Sequence, residues 1–71
     1  MSAKVPPFPP QEARRLIDHG LKLWDRRPGA RGVVWRDGPR WYRVRATSFR
    51  FLLDWRAAGD RDWRPGFFRW S

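Results

Sequence analysis

The chain has 71 residues with six tryptophans and no cysteine, and its 16 basic against seven acidic side chains give a formal net charge of +9. A chain this short makes one small domain, and the missing cysteine removes disulfides, thiolate metal sites and cysteine nucleophiles together. No apolar run reaches the length of a membrane span, the start does not read as a signal peptide, and a small secreted chain would ordinarily carry disulfides, so a cytoplasmic protein with no membrane partner is expected.

Residues 1–9 read as a Pro-rich leader, partly disordered, with disorder expected over residues 1–5. Pro6, Pro7, Pro9 and Pro10 remove backbone donors and bias the segment to extended conformation. Phe8 sits among them as an anchor, onto either the domain or a partner. A first helix is expected from Pro10, with proline at the first helical position and Glu12 complementing the dipole in the first turn. Ala13, Leu16, Ile17, Gly20, Leu21 and Trp24 fall on one helical face. A second parsing ends the helix at His19-Gly20 and continues Leu21-Lys22-Leu23-Trp24 as a strand. Leu23 fits a strand face with Leu21 but falls off the helical stripe, so the earlier stop is preferred.

Arg26-Arg27-Pro28-Gly29-Ala30-Arg31-Gly32 reads as a turn, and Val33-Val34-Trp35-Arg36 as a strand. Asp37-Gly38-Pro39-Arg40 is a second turn before the alternating strand Trp41-Tyr42-Arg43-Val44-Arg45-Ala46. A two-residue Asp-Gly loop would pair Arg36 with Pro39, which lacks the donor that position needs. A four-residue loop over 37–40 instead pairs Arg36 with Trp41, Trp35 with Tyr42, Val34 with Arg43 and Val33 with Val44. That register puts Val33, Trp35, Tyr42, Val44 and Ala46 on one face and Val34, Arg36, Trp41, Arg43 and Arg45 on the other. Thr47 or Ser48 then reads as the cap of a second helix, Phe49 to Ala58, ended by Gly59. Residues 60–71 carry Trp63, Phe67, Phe68 and Trp70 around Pro65-Gly66. So much apolar surface is expected to fold back onto the domain through a tight Pro65-Gly66 turn, the alternative being a segment that docks on a partner.

The expected fold class is therefore α+β. Residues 10–59 form a small domain of two helices packed on a two- or three-stranded antiparallel sheet, in the order α-β-β-α or α-β-β-β-α. The longer order, over roughly residues 11–59 and with the His19-Gly20 helix end, resembles the layout of double-stranded-RNA-binding domains and of the small HicA-type toxins. The chain departs from both in the residues that carry their chemistry. Gly29-Ala30-Arg31-Gly32-Val33-Val34 has no histidine where HicA-like nucleases carry one. The lysine-rich helix start and histidine loop of double-stranded-RNA binders are also missing.

Function is read from the interleaving of tryptophan with arginine, as in Trp35-Arg36, Arg40-Trp41-Tyr42-Arg43, Trp55-Arg56, Trp63-Arg64 and Arg69-Trp70. Arginine pairs bidentately with phosphate and stacks on rings, and surfaces that take unpaired nucleic acid use both groups. Fourteen of the 16 basic residues are arginine, which GC-rich coding also produces, so placement matters more than the total. Arg36, Trp41, Arg43 and Arg45 on the outer hairpin face are the candidate site for nucleic acid or another partner, with Arg14, Arg15, Arg26 and Arg27 as extensions of the basic surface. The expectation is a non-enzymatic nucleic-acid-binding module, for DNA or RNA without distinction. The alternative is a protein-interaction module that docks Trp and Phe anchors with an arginine rim on an acidic protein surface. One histidine, His19, and a lone Asp60/Asp62 pair offer no catalytic or metal site, and no cofactor is expected. His19 is given a structural role at a helix terminus.

Overall fold

Pro9 caps the helix from outside, and the Ala13 N–H donates to its carbonyl at 3.0 Å. The computed structural model describes residues 6–70, and the helix, α1, runs Pro10–Asp25. It does not stop at Gly20. Ala13, Leu16, Ile17 and Gly20 are its buried face. The expected strand over Leu21–Trp24 is its last turns, and His19 lies inside it. The reason is close packing. A Cβ on Gly20 would lie 2.6 Å from Val44 Cγ2 and 2.8 Å from Trp35 Cζ3, so glycine there lets the helix approach the sheet and is no terminator. The C-terminus closes instead with the Arg26 and Arg27 N–H groups on the Leu23 and Trp24 carbonyls, and the Trp24 indole N–H on the Ala30 carbonyl at 2.8 Å.

Four strands follow: β1 (Gly32–Asp37), β2 (Arg40–Ala46), β3 (Arg50–Ala57) and β4 (Arg64–Trp70). They form one antiparallel sheet in sequence order, β1-β2-β3-β4. The β1–β2 register is the expected one: Val33 opposite Val44, Trp35 opposite Tyr42, Arg36 opposite Trp41. The ladder extends one pair further, to Asp37 opposite Arg40, leaving a two-residue turn of Gly38 and Pro39. Gly38 takes φ +62° and Pro39 follows it, the residue pattern of a type II′ hairpin.

The second helix is absent. Residues Arg50–Ala57 are β3, a central strand paired to β2 and β4. Thr47 holds a turn: its N–H donates to the Arg50 carbonyl at 2.9 Å, and its hydroxyl accepts from the Arg50 N–H at 3.3 Å. Gly59, at φ +95°, serves the β3–β4 connection. The α-β-β-α and α-β-β-β-α layouts, and the likeness to the two families that share the second, do not describe this topology. The fold is an α+β domain of one helix on a four-stranded antiparallel sheet. The aromatic C-terminal segment is the edge strand β4, and Pro65-Gly66 lies within it and not in a turn. Leu53 pairs with Phe67 and Asp54 with Pro65, so Gly66 is the extra residue of a β-bulge. A Cβ at Gly66 would come within 3.1–3.2 Å of the Leu53 carbonyl, Phe8 and Trp55.

The core lies between α1 and one sheet face. It comprises Ala13, Leu16 and Ile17 from α1 and Val33, Tyr42, Val44, Leu53 and Trp55 from the strands. Phe8 of the leader completes it, edge-on to Tyr42 at 6.1 Å and to Trp55 at 6.3 Å. Phe67 packs against its margin. Burying rings of this size contributes about 1.5–3 kcal/mol each, which a domain this small requires. The expectations of disorder over residues 1–5 and of a docked Trp70 ring fall outside the described residues and side chains.

Candidate functional site

Alternation along the strands gives the sheet a second face, pointing away from α1. The described residues provide no second helix to cover it. Val34 and Arg36 from β1, Trp41, Arg43 and Arg45 from β2, Leu52, Asp54 and Arg56 from β3, and Phe68 from β4 share this face by their register. Arg36 opposes Trp41, and Trp41 opposes Arg56, so these three make one row across β1, β2 and β3.

The guanidinium carbons of Arg36 and Arg56 lie 6.0 and 5.6 Å from the centroid of the Trp41 ring. Trp63, from the β3–β4 connection, extends the row, with Arg56 at 5.2 Å and Arg43 at 4.6 Å from its ring. The Arg56 Nη1 donates to the Asp60 carbonyl at 2.6 Å, which fixes that connection beside the sheet. Arg43 then turns to Asp54. Its Nε and Nη2 donate to Asp54 Oδ2 at 3.0 and 2.8 Å, and Arg45 Nε donates to the same oxygen at 2.8 Å. The result is a continuous chain, Arg36–Trp41–Arg56–Trp63–Arg43–Asp54–Arg45. A cation over an indole contributes about 0.5–2 kcal/mol according to its exposure. The chain therefore orders long arginine side chains that would otherwise lose rotamer freedom on binding a ligand.

The Asp54 side chain is only 6% exposed, while those of Arg43 and Arg45 are 31% and 48% exposed. A carboxylate so buried requires its partners, and one negative charge here meets two positive ones. Arg50 stacks over Phe68 at 5.0 Å further along the face.

Arg36, Trp41, Arg43 and Arg45 thus come together on one face. Arg14, Arg15, Arg26 and Arg27 do not join them. Arg14 and Arg15 project from α1, behind the sheet; Arg14 lines a groove with Asp18, Phe67, Phe68 and Arg69 that reaches the open face only at the β4 edge, and Arg15 one with Glu12, His19 and Trp35 that reaches Arg36 only at the β1 edge. Arg26 and Arg27 belong to the α1–β1 connection. His19 rests edge-on to Trp35 at 5.4 Å. Sequence reasoning missed Arg56, Trp63, Asp54 and Arg50, because a helical reading of 49–58 hides the alternation of Leu52, Asp54 and Arg56. The Trp55-Arg56 and Trp63-Arg64 pairs were the available signal.

Among the described residues no three histidine, cysteine or acidic side chains gather as a metal-ligating group, and no helix is long and apolar enough to cross a membrane. Comparison with protein families, curated proteins and solved structures yields no match.

Proposed function

We propose that the chain is a non-enzymatic, cytoplasmic nucleic-acid-binding module and that the face opposite α1 is its binding surface. One observation carries this reading: Arg36, Arg43, Arg45, Arg50 and Arg56 share the sheet face opposite α1, with Asp54 as the acidic side chain among them. Guanidinium N–H groups bind phosphate oxygens, and their planes, like those of Trp41 and Trp63, stack on bases. The open face of a four-stranded sheet is a recurrent platform for such contacts in RNA recognition. The alternative, an arginine-rimmed surface for an acidic protein, is weakened by the placement of its anchors. Phe67 packs on the core and Phe8 is buried in it, which leaves fewer aromatic side chains to insert into a partner.

Titration with fluorescent oligonucleotides over a range of salt concentrations tests the reading. Binding at micromolar concentration in low salt is expected, with the logarithm of affinity falling linearly with the logarithm of salt. With five arginines on the face, the slope should not exceed about 3.5 for a single strand, at about 0.7 for each phosphate neutralised. Absence of binding at low salt, together with partners in a native lysate that survive nuclease treatment, would replace nucleic acid with an acidic protein surface.

A further inference from the structure

The Arg–Trp chain occupies the end of the face nearest the β1–β2 turn. The other end holds a groove of about 530 Å³ whose lining includes Arg45, Arg50, Leu52, Asp54, Pro65 and Phe68. Its walls are apolar and flat: Leu52 and Phe68 are cross-strand partners, and Pro65 is paired with Asp54 through the bulge. Its lip is cationic, with the Arg50 guanidinium held over the Phe68 ring and Arg45 tied to Asp54 by Nε alone. An arginine has five N–H donors, so Arg45 keeps four for another acceptor.

Charge and shape define an occupant. Arg43 and Arg45 share one carboxylate, so that trio carries one uncompensated positive charge, the complement of one phosphodiester. The adjoining groove falls in the size range of small-ligand sites, about 300–1,000 Å³, and has their composition of apolar walls with a few polar groups. Resting on the nucleic-acid reading above, we infer that this groove seats one unpaired nucleobase against Leu52, Pro65 and the edge of the Phe68 ring, whose faces meet Arg50 and Phe67, while its phosphate is held by Arg45 and Arg50. The module is then one for single strands. Duplex geometry agrees. Four strands span about 14 Å at a spacing of about 4.8 Å, wider than a major groove of about 12 Å, and paired bases keep their faces stacked out of reach. The bulge at Gly66 belongs to the same device. Beyond it Phe67 packs against the core margin, and Phe68, opposite Leu52, stacks on the Phe67 ring at 6.4 Å along the sheet edge.

The test compares three probes on the full chain at one low salt concentration. These are a thymidine oligonucleotide, the same strand with abasic positions, and a duplex of equal phosphate number. The intact strand should bind about tenfold tighter than the abasic strand, the size of one stacked base. Phe68→Ala should reduce the ratio of the affinities for the intact and the abasic strands. Equal affinity for all three probes overturns the base-seating groove and leaves a general phosphate-binding face intact. Binding to none of them overturns both readings. Circular dichroism verifies the variant, and if Phe68→Ala fails to fold, the probe comparison on the unaltered chain decides the matter alone.

Discussion

Gly20 shows how one residue type carries two opposite meanings. Glycine after histidine near the end of an amphipathic stretch reads as a left-handed stop, and in this helix it is a contact surface. Nothing in the local sequence distinguishes the two, because the deciding atoms belong to Val44 and Trp35, more than a dozen residues away. The stripe Ala13, Leu16, Ile17, Gly20, Leu21, Trp24 did hold the answer: all six residues face or border the core. This has a measurable consequence. Alanine at position 20 gains about 1 kcal/mol of helix propensity but places a methyl group 2.6 Å from Val44 and 2.8 Å from Trp35. Overpacking a tight interface costs about 1–3 kcal/mol. Gly20→Ala should therefore lower the thermal midpoint, and a raised midpoint would mean that the helix end, and not the packing, sets the stability at this site.

At the scale of elements, the hairpin was legible and β3 was not, for one reason. β1 and β2 separate apolar from charged side chains cleanly, so the faces declare themselves and fix the register. β3 is flanked by strands on both sides, and its outward face is itself partly apolar, with Leu52 beside Asp54 and Arg56. Phe51-Leu52-Leu53 therefore reads as continuous, and Phe49, Leu52, Leu53 and Arg56 also match helical spacing. The flanking Thr47 and Gly59 also suit a helix, since helix caps and turns use the same side-chain chemistry. β4 was recognised as apolar surface needing cover, but not as a strand, because Pro65 and Gly66 interrupt it. An edge strand tolerates a proline that a central one would not. Deleting residues 63–71 tests what this strand does. The truncation strips the hydrogen-bonding edge of β3, removes Phe67 from the core margin and removes Trp63 from Arg43 and Arg56. Each lost ring contributes about 1.5–3 kcal/mol against a total stability of about 5–15 kcal/mol for an ordinary domain. The truncated chain should be unfolded or aggregated by circular dichroism and gel filtration. A folded truncation with an unchanged melting temperature would make β4 an accessory strand.

Over the whole molecule, a net charge of +9 raises the expectation of a polyanion without indicating a side. Folding distributes that charge unevenly between the two surfaces. On α1 the charges are mixed, Glu12 and Asp18 among Arg14, Arg15 and Lys22, and Asp18 is paired with Arg69 of β4. On the opposite face the arginines outnumber Asp54 and are held in place by Trp41, Trp63 and Phe68. Opposite signs close together screen each other, whereas like charges ordered on one surface add to a field that an incoming strand feels. The two surfaces therefore predict different responses to the same chemical change. Arg36→Ala with Arg56→Ala removes two of the proposed phosphate ligands, and the slope of log affinity against log salt should fall by about 1.4 for a single strand. Arg14→Ala with Arg26→Ala removes the same formal charge from behind the sheet and should leave the slope within error of the unaltered chain. All four side chains are at least partly solvent-exposed, so both double variants should keep the native circular-dichroism spectrum. Equal losses of slope in the two variants would show that net charge alone drives binding and that the ordered face gives it no direction.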